Sequence, residues 1–194
     1  MPKSSPKQER LGWINLILWL FAAIIIRWQV IEPRWIPSGS MLPTLQIQDR
    51  ILVEKIRPKL ARFQHKQLNR GNLVIFHPPR NLIEAGYEKD SALIKRIVGI
   101  PGDRIEIING QLWRNNLYIE ETWLTDPILY EMGSVIVPEN EIWVLGDNRN
   151  NSLDSHLWGA LPQENVIGTA IWRYWPLDRF GSIRFPAQKQ NENN

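Results

Sequence analysis

At 194 residues the chain has room for one modest globular domain and a short anchor, but not for a second full domain. Charged residues at 22% and apolar residues at 43% sit near the globular average, which argues against disorder outside the polar ends. The net charge of +3 is concentrated in Lys3, Lys7 and Arg10, so no basic stripe is left for a phosphate backbone and nucleic acid is not an expected partner.

The chain contains no cysteine, which excludes disulfides, thiol nucleophiles and most structural zinc sites; no metal and no cofactor is expected. Ten tryptophans are many for a soluble domain, and indole rings favour the membrane–water boundary as well as protein cores.

Residues 11–26 are apolar apart from Gly12 and Asn15, with Trp13 and Trp19 inside the run and Trp28 just beyond it. As helix this run spans roughly 24 Å, short of the ~30 Å hydrocarbon core, and Val30 and Ile31 extend it if Arg27 snorkels toward the headgroups. A transmembrane anchor is therefore predicted over residues 11–31, behind a short cytoplasmic N-terminus at 1–10. A cleaved secretory signal would need small residues after Ile26, and RWQVIEPRW offers none. A buried core helix would show a polar face, which the run lacks. Lys3, Lys7 and Arg10 before the span, against Arg27, Glu32 and Arg34 after it, bias the N-terminus to the cytoplasm. The protein is then expected in the cell membrane as a single-pass protein, with the β domain, residues 32–186, on the extracytoplasmic side. Residues 187–194 read as a polar tail.

Past residue 35 the chain consists of short β-prone runs separated by turns, and no stretch keeps a 3.6 period. Strands are predicted at 50–56, 72–76, 92–98, 104–108, 111–114, 117–119, 141–145 and 166–175. The expected fold class is mainly β: a single antiparallel, barrel-like sheet on one N-terminal transmembrane helix. Asn109-Gly110 is a hairpin signal, because both residues tolerate the positive φ of a type I′ turn. Pro101-Gly102-Asp103 reads as a tight turn joining the 92–98 strand to that hairpin as a meander. Residues 57–71 are polar and basic, and 81–90 resemble a surface loop.

The segment 37–45, PSGSMLPTL, sets two serines around a glycine, which alone signals only a turn. A serine hydroxyl needs a base to become a nucleophile. His65, His77 and His156 have neither triad nor metal-site spacing. A lysine serves if an apolar setting lowers its pKa, and period-two alternation puts Lys95 between Leu93 and Ile97, with Arg96 on the opposite face. Taken alone, Lys95 also fits a strand-edge lysine that discourages aggregation. Residues 146–159 gather hydroxyls, amides and opposite charges more densely than a plain connection needs. Asp147, Asn148, Arg149, Ser152 and Asp154 are candidates there for orienting a catalytic pair by hydrogen bonds.

PSGSMLPTL at 37–45, KRIVGIPGD at 95–103 and GDNRNNSLDSHLWG at 146–159, in this order behind an anchor, resemble the signature boxes of type I signal peptidases. The resemblance implies that Ser40 is the nucleophile and Lys95 the general base. Ser38 and the Ser40 N–H would form the oxyanion hole, Ser152 would hold the Lys95 amine, and Asp154 would brace the loop. Asn150 stands where an aspartate is frequent, and His156 where an arginine often pairs with the Asp154 position. The family further implies an acyl-enzyme intermediate and signal peptides of secretory preproteins as partners, with small side chains at −1 and −3, bound as an added strand. It also implies contact with the lipid bilayer through Trp35, Ile36, Met41 and Leu42. With only about fifty residues between lysine and third box, a compact, monomeric version is expected. A self-cleaving repressor would need a DNA-binding helical domain and no anchor. A tethered β module that merely binds exported chains would not need both nucleophile and base.

Overall fold

A computed structural model of the chain describes residues 6–56, 58, 68–183 and 190–191. Helix α1, Pro6–Gln29, occupies most of the expected anchor, and its side chains from Trp13 to Phe21 are exposed. Among the described residues no helix is long and apolar enough to cross a membrane. The expected end of the anchor also moves. Ile31 belongs not to the helix but to strand β1, Ile31–Trp35, a sheet-edge strand where Pro33, with no N–H to donate, is tolerated.

The body follows as β2 (Arg50–Glu54), β3 (Leu73–Phe76), β4 (Leu93–Gly99), β5 (Arg104–Ile108), β6 (Gln111–Arg114) and β7 (Leu117–Ile119). After these come β8 (Met132–Ile136), β9 (Glu141–Leu145), β10 (Leu161–Pro162), β11 (Val166–Trp175), β12 (Gly181–Ser182) and β13 (Gln190–Asn191). All strand pairs are antiparallel. They form two sheets, not the single one expected: β1-β2-β11-β3-β4-β9-β10, with β12 beside β11, and β13-β7-β6-β5-β8.

The Asn109-Gly110 turn has both residues at positive φ and pairs Ile108 with Gln111. The Pro101-Gly102-Asp103 turn, with Gly102 at φ 83°, does not make a meander. It hands the chain from the large sheet to the small one, because the edge of β4 is already taken by β9 from Arg96 onward. Where the two sheets meet, the Ile105 side chain packs onto Gly99 so closely that a Cβ there would lie 2.9 Å from it.

β3 shows why the body holds together. Leu73 and Ile75 face a cluster with Met41, Leu45, Ile51 and Ile94, while Val74 and Phe76 face another with Ile97, Val144 and Trp158. Every residue of β3 is buried, as expected of a strand covered on both faces. A third cluster, including Ile105, Leu112 and Trp143, fills the small sheet. The first residues of the expected 81–90 loop belong to a short helix, Arg80–Glu84, and Gln190–Asn191 of the expected tail pair with β7. The polar 57–71 segment lies largely outside the described residues, His65 included.

Candidate active site

The loop that carries Ser40 grows out of β1. Beyond Trp35 the chain passes through Ile36 and Pro37, then turns through a short 3-10 turn, Gly39–Met41, closed by the Leu42 N–H donating to the Gly39 carbonyl at 3.1 Å. Met41 is buried in the core, so its burial fixes the preceding Ser40 over the sheet. Ile36 and Met41 are both buried, which corrects their expected placement on a bilayer; Trp35 and Leu42 are exposed.

Lys95 rises from the middle of β4 and is 3% exposed. Its Nζ lies 2.8 Å from Ser40 Oγ. Burial pushes the Lys95 amine down to about 8 from the ordinary 10.5, against the upward pull of the Asp154 and Asp147 carboxylates. An amine in that state is uncharged often enough near neutrality to take a proton from the neighbouring hydroxyl. Ser38 Oγ is 3.5 Å from Ser40 Oγ and exposed, on the open side of the turn.

The 146–159 loop clamps this pair from behind. The Asn148 N–H donates to the Ser40 carbonyl at 3.0 Å and its Nδ2 to the Gly39 carbonyl at 3.1 Å, so Asn148 holds the backbone of the Ser40 turn. Asp154 accepts the Gly146 N–H at 2.8 Å and faces His156 Nδ1 at 2.6 Å. Arg149 donates to the Gly146 carbonyl at 3.1 Å and grips Glu121 with both terminal nitrogens. Ser152 Oγ is buried with no hydrogen-bond partner among the described residues, so the expected bond to the Lys95 amine is not made.

Arg96, read from alternation as pointing to the opposite face, is fully buried there. Its Nε donates to Asp147 at 2.7 Å, Nη1 to the Gly71 carbonyl at 2.9 Å, and its guanidinium lies over the Trp123 ring at 4.6 Å. Asp147 therefore answers Arg96 rather than Ser40 or Lys95. Sequence reasoning missed Arg96, Glu121 and Tyr130. The charge of Arg96 inside an apolar strand was the available signal for a buried partner, whereas Glu121 carried none.

A groove of about 150 Å³ is lined by Trp35, Ile36 and Pro37 and by Ala92, Leu93 and Ile94. β9 pairs with β4 only from Arg96 onward, which leaves Leu93 and Ile94 facing this groove without a β9 partner. Along the chain one wall runs on into the Ser40 turn and the other into Lys95.

A sequence profile described as signal peptidase, peptidase S26, matches residues 10–175. The chain belongs to this signal peptidase family. It is 43% identical over 168 residues to a probable signal peptidase I-1 of Synechocystis sp., covering 87% of this chain and 83% of that one. A signal peptidase I of Leptolyngbya laminosa is 41% identical over 186 residues, covering 95% and 88%. A probable chloroplastic thylakoidal processing peptidase 2 of Arabidopsis thaliana is 40% identical, covering 89% of this chain and 49% of its own length. As a family member the chain is a serine peptidase, a hydrolase.

Two positions at which this signal peptidase departs from the frequent pattern have a local explanation. Asn150 Oδ1 accepts the Leu129 N–H at 2.8 Å while its Nδ2 donates to the Pro127 carbonyl at 2.9 Å. An amide can serve both partners; an ionised aspartate has no donor. His156 supplies Asp154 with a ring nitrogen and is stacked on Tyr130 at 4.2 Å between centroids.

Proposed function

We propose that this chain is a membrane-anchored endopeptidase that removes N-terminal signal peptides from exported proteins, with Ser40 as nucleophile and Lys95 as general base. The observation that carries this reading is the buried Lys95 amine within 2.8 Å of the Ser40 hydroxyl. Ser40 Oγ attacks the scissile carbonyl carbon and its proton passes to Lys95 Nζ. The oxyanion that forms is held by the Ser40 N–H and the Ser38 hydroxyl, a donor of that kind being worth about 3 kcal/mol of barrier. Lys95 then protonates the departing amine of the mature chain, and the signal peptide remains as an ester on Ser40. Water attacks that ester, Lys95 takes the water proton, and the signal peptide leaves with a new carboxylate as the proton returns to Ser40.

Substrate pairs as an added strand along the Leu93 and Ile94 edge, with small side chains in the groove opposite Ile36 and Pro37. Helix α1 seats the domain at the bilayer. Its 24 residues reach about 36 Å, and Trp13, Leu18, Trp19 and Phe21 are exposed apolar groups that water does not favour. Lys3, Lys7 and Arg10 keep the N-terminus cytoplasmic, so the catalytic domain faces outward.

The test is cleavage of a preprotein by detergent-solubilised protein. Ser40→Ala and Lys95→Ala are each expected to abolish cutting while both variants remain folded; undiminished cutting by either variant would contradict the assignment.

A further inference from the structure

Among the described residues, Arg34 is the one charged side chain that lines the groove of Ile36 and Ile94; every other lining residue is apolar. In the β1–β2 ladder Arg34 stands directly across from Ile51, and the pairing runs on past β1 as the Ile36 N–H donates to the Asp49 carbonyl at 2.9 Å. Alternation therefore sets Arg34, Ile36 and Ile51 on one face, and all three line the groove.

The guanidinium is only partly committed. One terminal nitrogen meets Glu32 at 2.5 Å, while Nε is buried without a hydrogen-bond partner among the described residues. Buried N–H groups are rarely left so, because the lost hydration is not repaid, and an acceptor brought by a ligand would repay it. The same Glu32 carboxylate also holds Lys55 Nζ at 3.1 Å. Burial acts to raise the Glu32 carboxyl, yet Lys55 and Arg34 hold it below the usual carboxylate range, so it stays ionised. Two cations and one anion leave this trio with a single positive charge, which selects an anionic acceptor. With its side chain 36% exposed, Arg34 is within reach of a bound chain.

We propose that Arg34 is a specificity-determining residue that binds a carboxylate side chain at position −5 of the signal peptide. This deepens the reading of the groove as the signal-peptide site and rests on it. In an added strand every second side chain faces the same way, so −1, −3 and −5 share the groove face. Arg34 lies one such step, about 7 Å, farther back along the chain from Ser40 than Ile36 does. With the small side chains at −1 and −3 beside Ile36, the next one on that face meets Arg34.

The experiment measures kcat/KM of the full chain in detergent for signal-peptide substrates that differ only at −5, where they carry Asp, Asn or Lys. Wild type is expected to favour Asp over Asn about threefold and to cut the Lys substrate least. Arg34→Gln should bring Asp and Asn level, and Arg34→Glu should favour Lys over Asp. The same three residues placed at −4, on the opposite face, should rank alike in all three proteins. A ranking at −5 that is unchanged by either substitution overturns the proposal, even where absolute rates fall, because a structural role for Arg34 scales all substrates together. An Arg34-dependent ranking at −4 and not at −5 overturns it as well. If Arg34→Glu does not fold beside Glu32, the Asp-to-Asn ratio in Arg34→Gln decides alone. Wild type that cuts none of the substrates defeats the peptidase reading and this proposal with it; wild type that cuts them with an Arg34-independent ranking defeats only the role of Arg34.

Discussion

The Ser40 carbonyl oxygen lies 2.6 Å from the point where a Cβ on Gly146 would stand, and the Ser152 hydroxyl is closer still. Gly146, like Asn148, thus packs directly on the Ser40 turn. The Ser152 hydroxyl could rotate away from an added methyl group, but neither the Ser152 Cβ, also at 2.6 Å, nor the Ser40 backbone carbonyl can. Gly146→Ala is expected to displace Ser40 and lower kcat by roughly ten- to a hundredfold with a smaller effect on KM, measured by steady-state kinetics on a peptide substrate.

Arg96 and Asp147 have no exposed side-chain surface. Asp147→Ala removes the carboxylate paired with a buried guanidinium and is expected to cost about 3–5 kcal/mol in urea unfolding. The double variant Arg96→Met/Asp147→Leu removes both charges and should lose less than Asp147→Ala alone. An equal or larger loss in the double variant would show that the pair is not the source of the penalty.

Lys95 carries a prediction about stability as well as rate. Its folded-state value, about 8, lies below the ordinary 10.5 of an unfolded chain, so between these values the unfolded state binds more protons and stability rises with pH. Below pH 8 both states are protonated, and the fold bears the cost of a buried ammonium, about 3 kcal/mol on this displacement. Lys95→Met is therefore expected to be inactive yet more stable than wild type at pH 7, with the difference shrinking toward pH 10.5. Thermal melting across that range checks it. The wild-type rate should climb through pH 8 as the amine loses its proton.

How much of this was legible in the sequence depends on distance along the chain. The hairpin from Arg104 to Arg114 is local, its Asn109-Gly110 turn carries its own signature, and both strands fall on the predicted residues. β8, reading MGSVI, offers no clean alternation, and it is held by pairing with Arg104 to Ile107 across a long connection. The division into two sheets is invisible for the same reason: nothing near Gly102 announces that β9 already occupies the edge of β4. Lys95 could be found from its apolar neighbours on one strand face. The same alternation turned Arg96 away from the site correctly but left its burial unread, because Asp147 lies 51 residues away. Ordered boxes brought Ser40, Lys95 and Asn148 into view together, while Glu121 and Tyr130 enter only through folding.

Asn150 clasps residues 127–129 as both donor and acceptor. Asn150→Asp keeps the acceptor for Leu129 but loses the donor for Pro127. The expected loss is about 1 kcal/mol, confined to this segment. Faster amide exchange at Leu129 and Tyr130, with the rates of β4 unchanged, is the expected signature.

Trapping the covalent intermediate tests the central claim most directly. Wild-type protein mixed with a slowly turned-over signal-peptide ester, quenched in acid and digested, is examined by mass spectrometry. An acyl adduct on the peptide containing Ser40, absent in Ser40→Ala and in Lys95→Ala, is the predicted result. An adduct on another residue, or full turnover by Ser40→Ala, would contradict it.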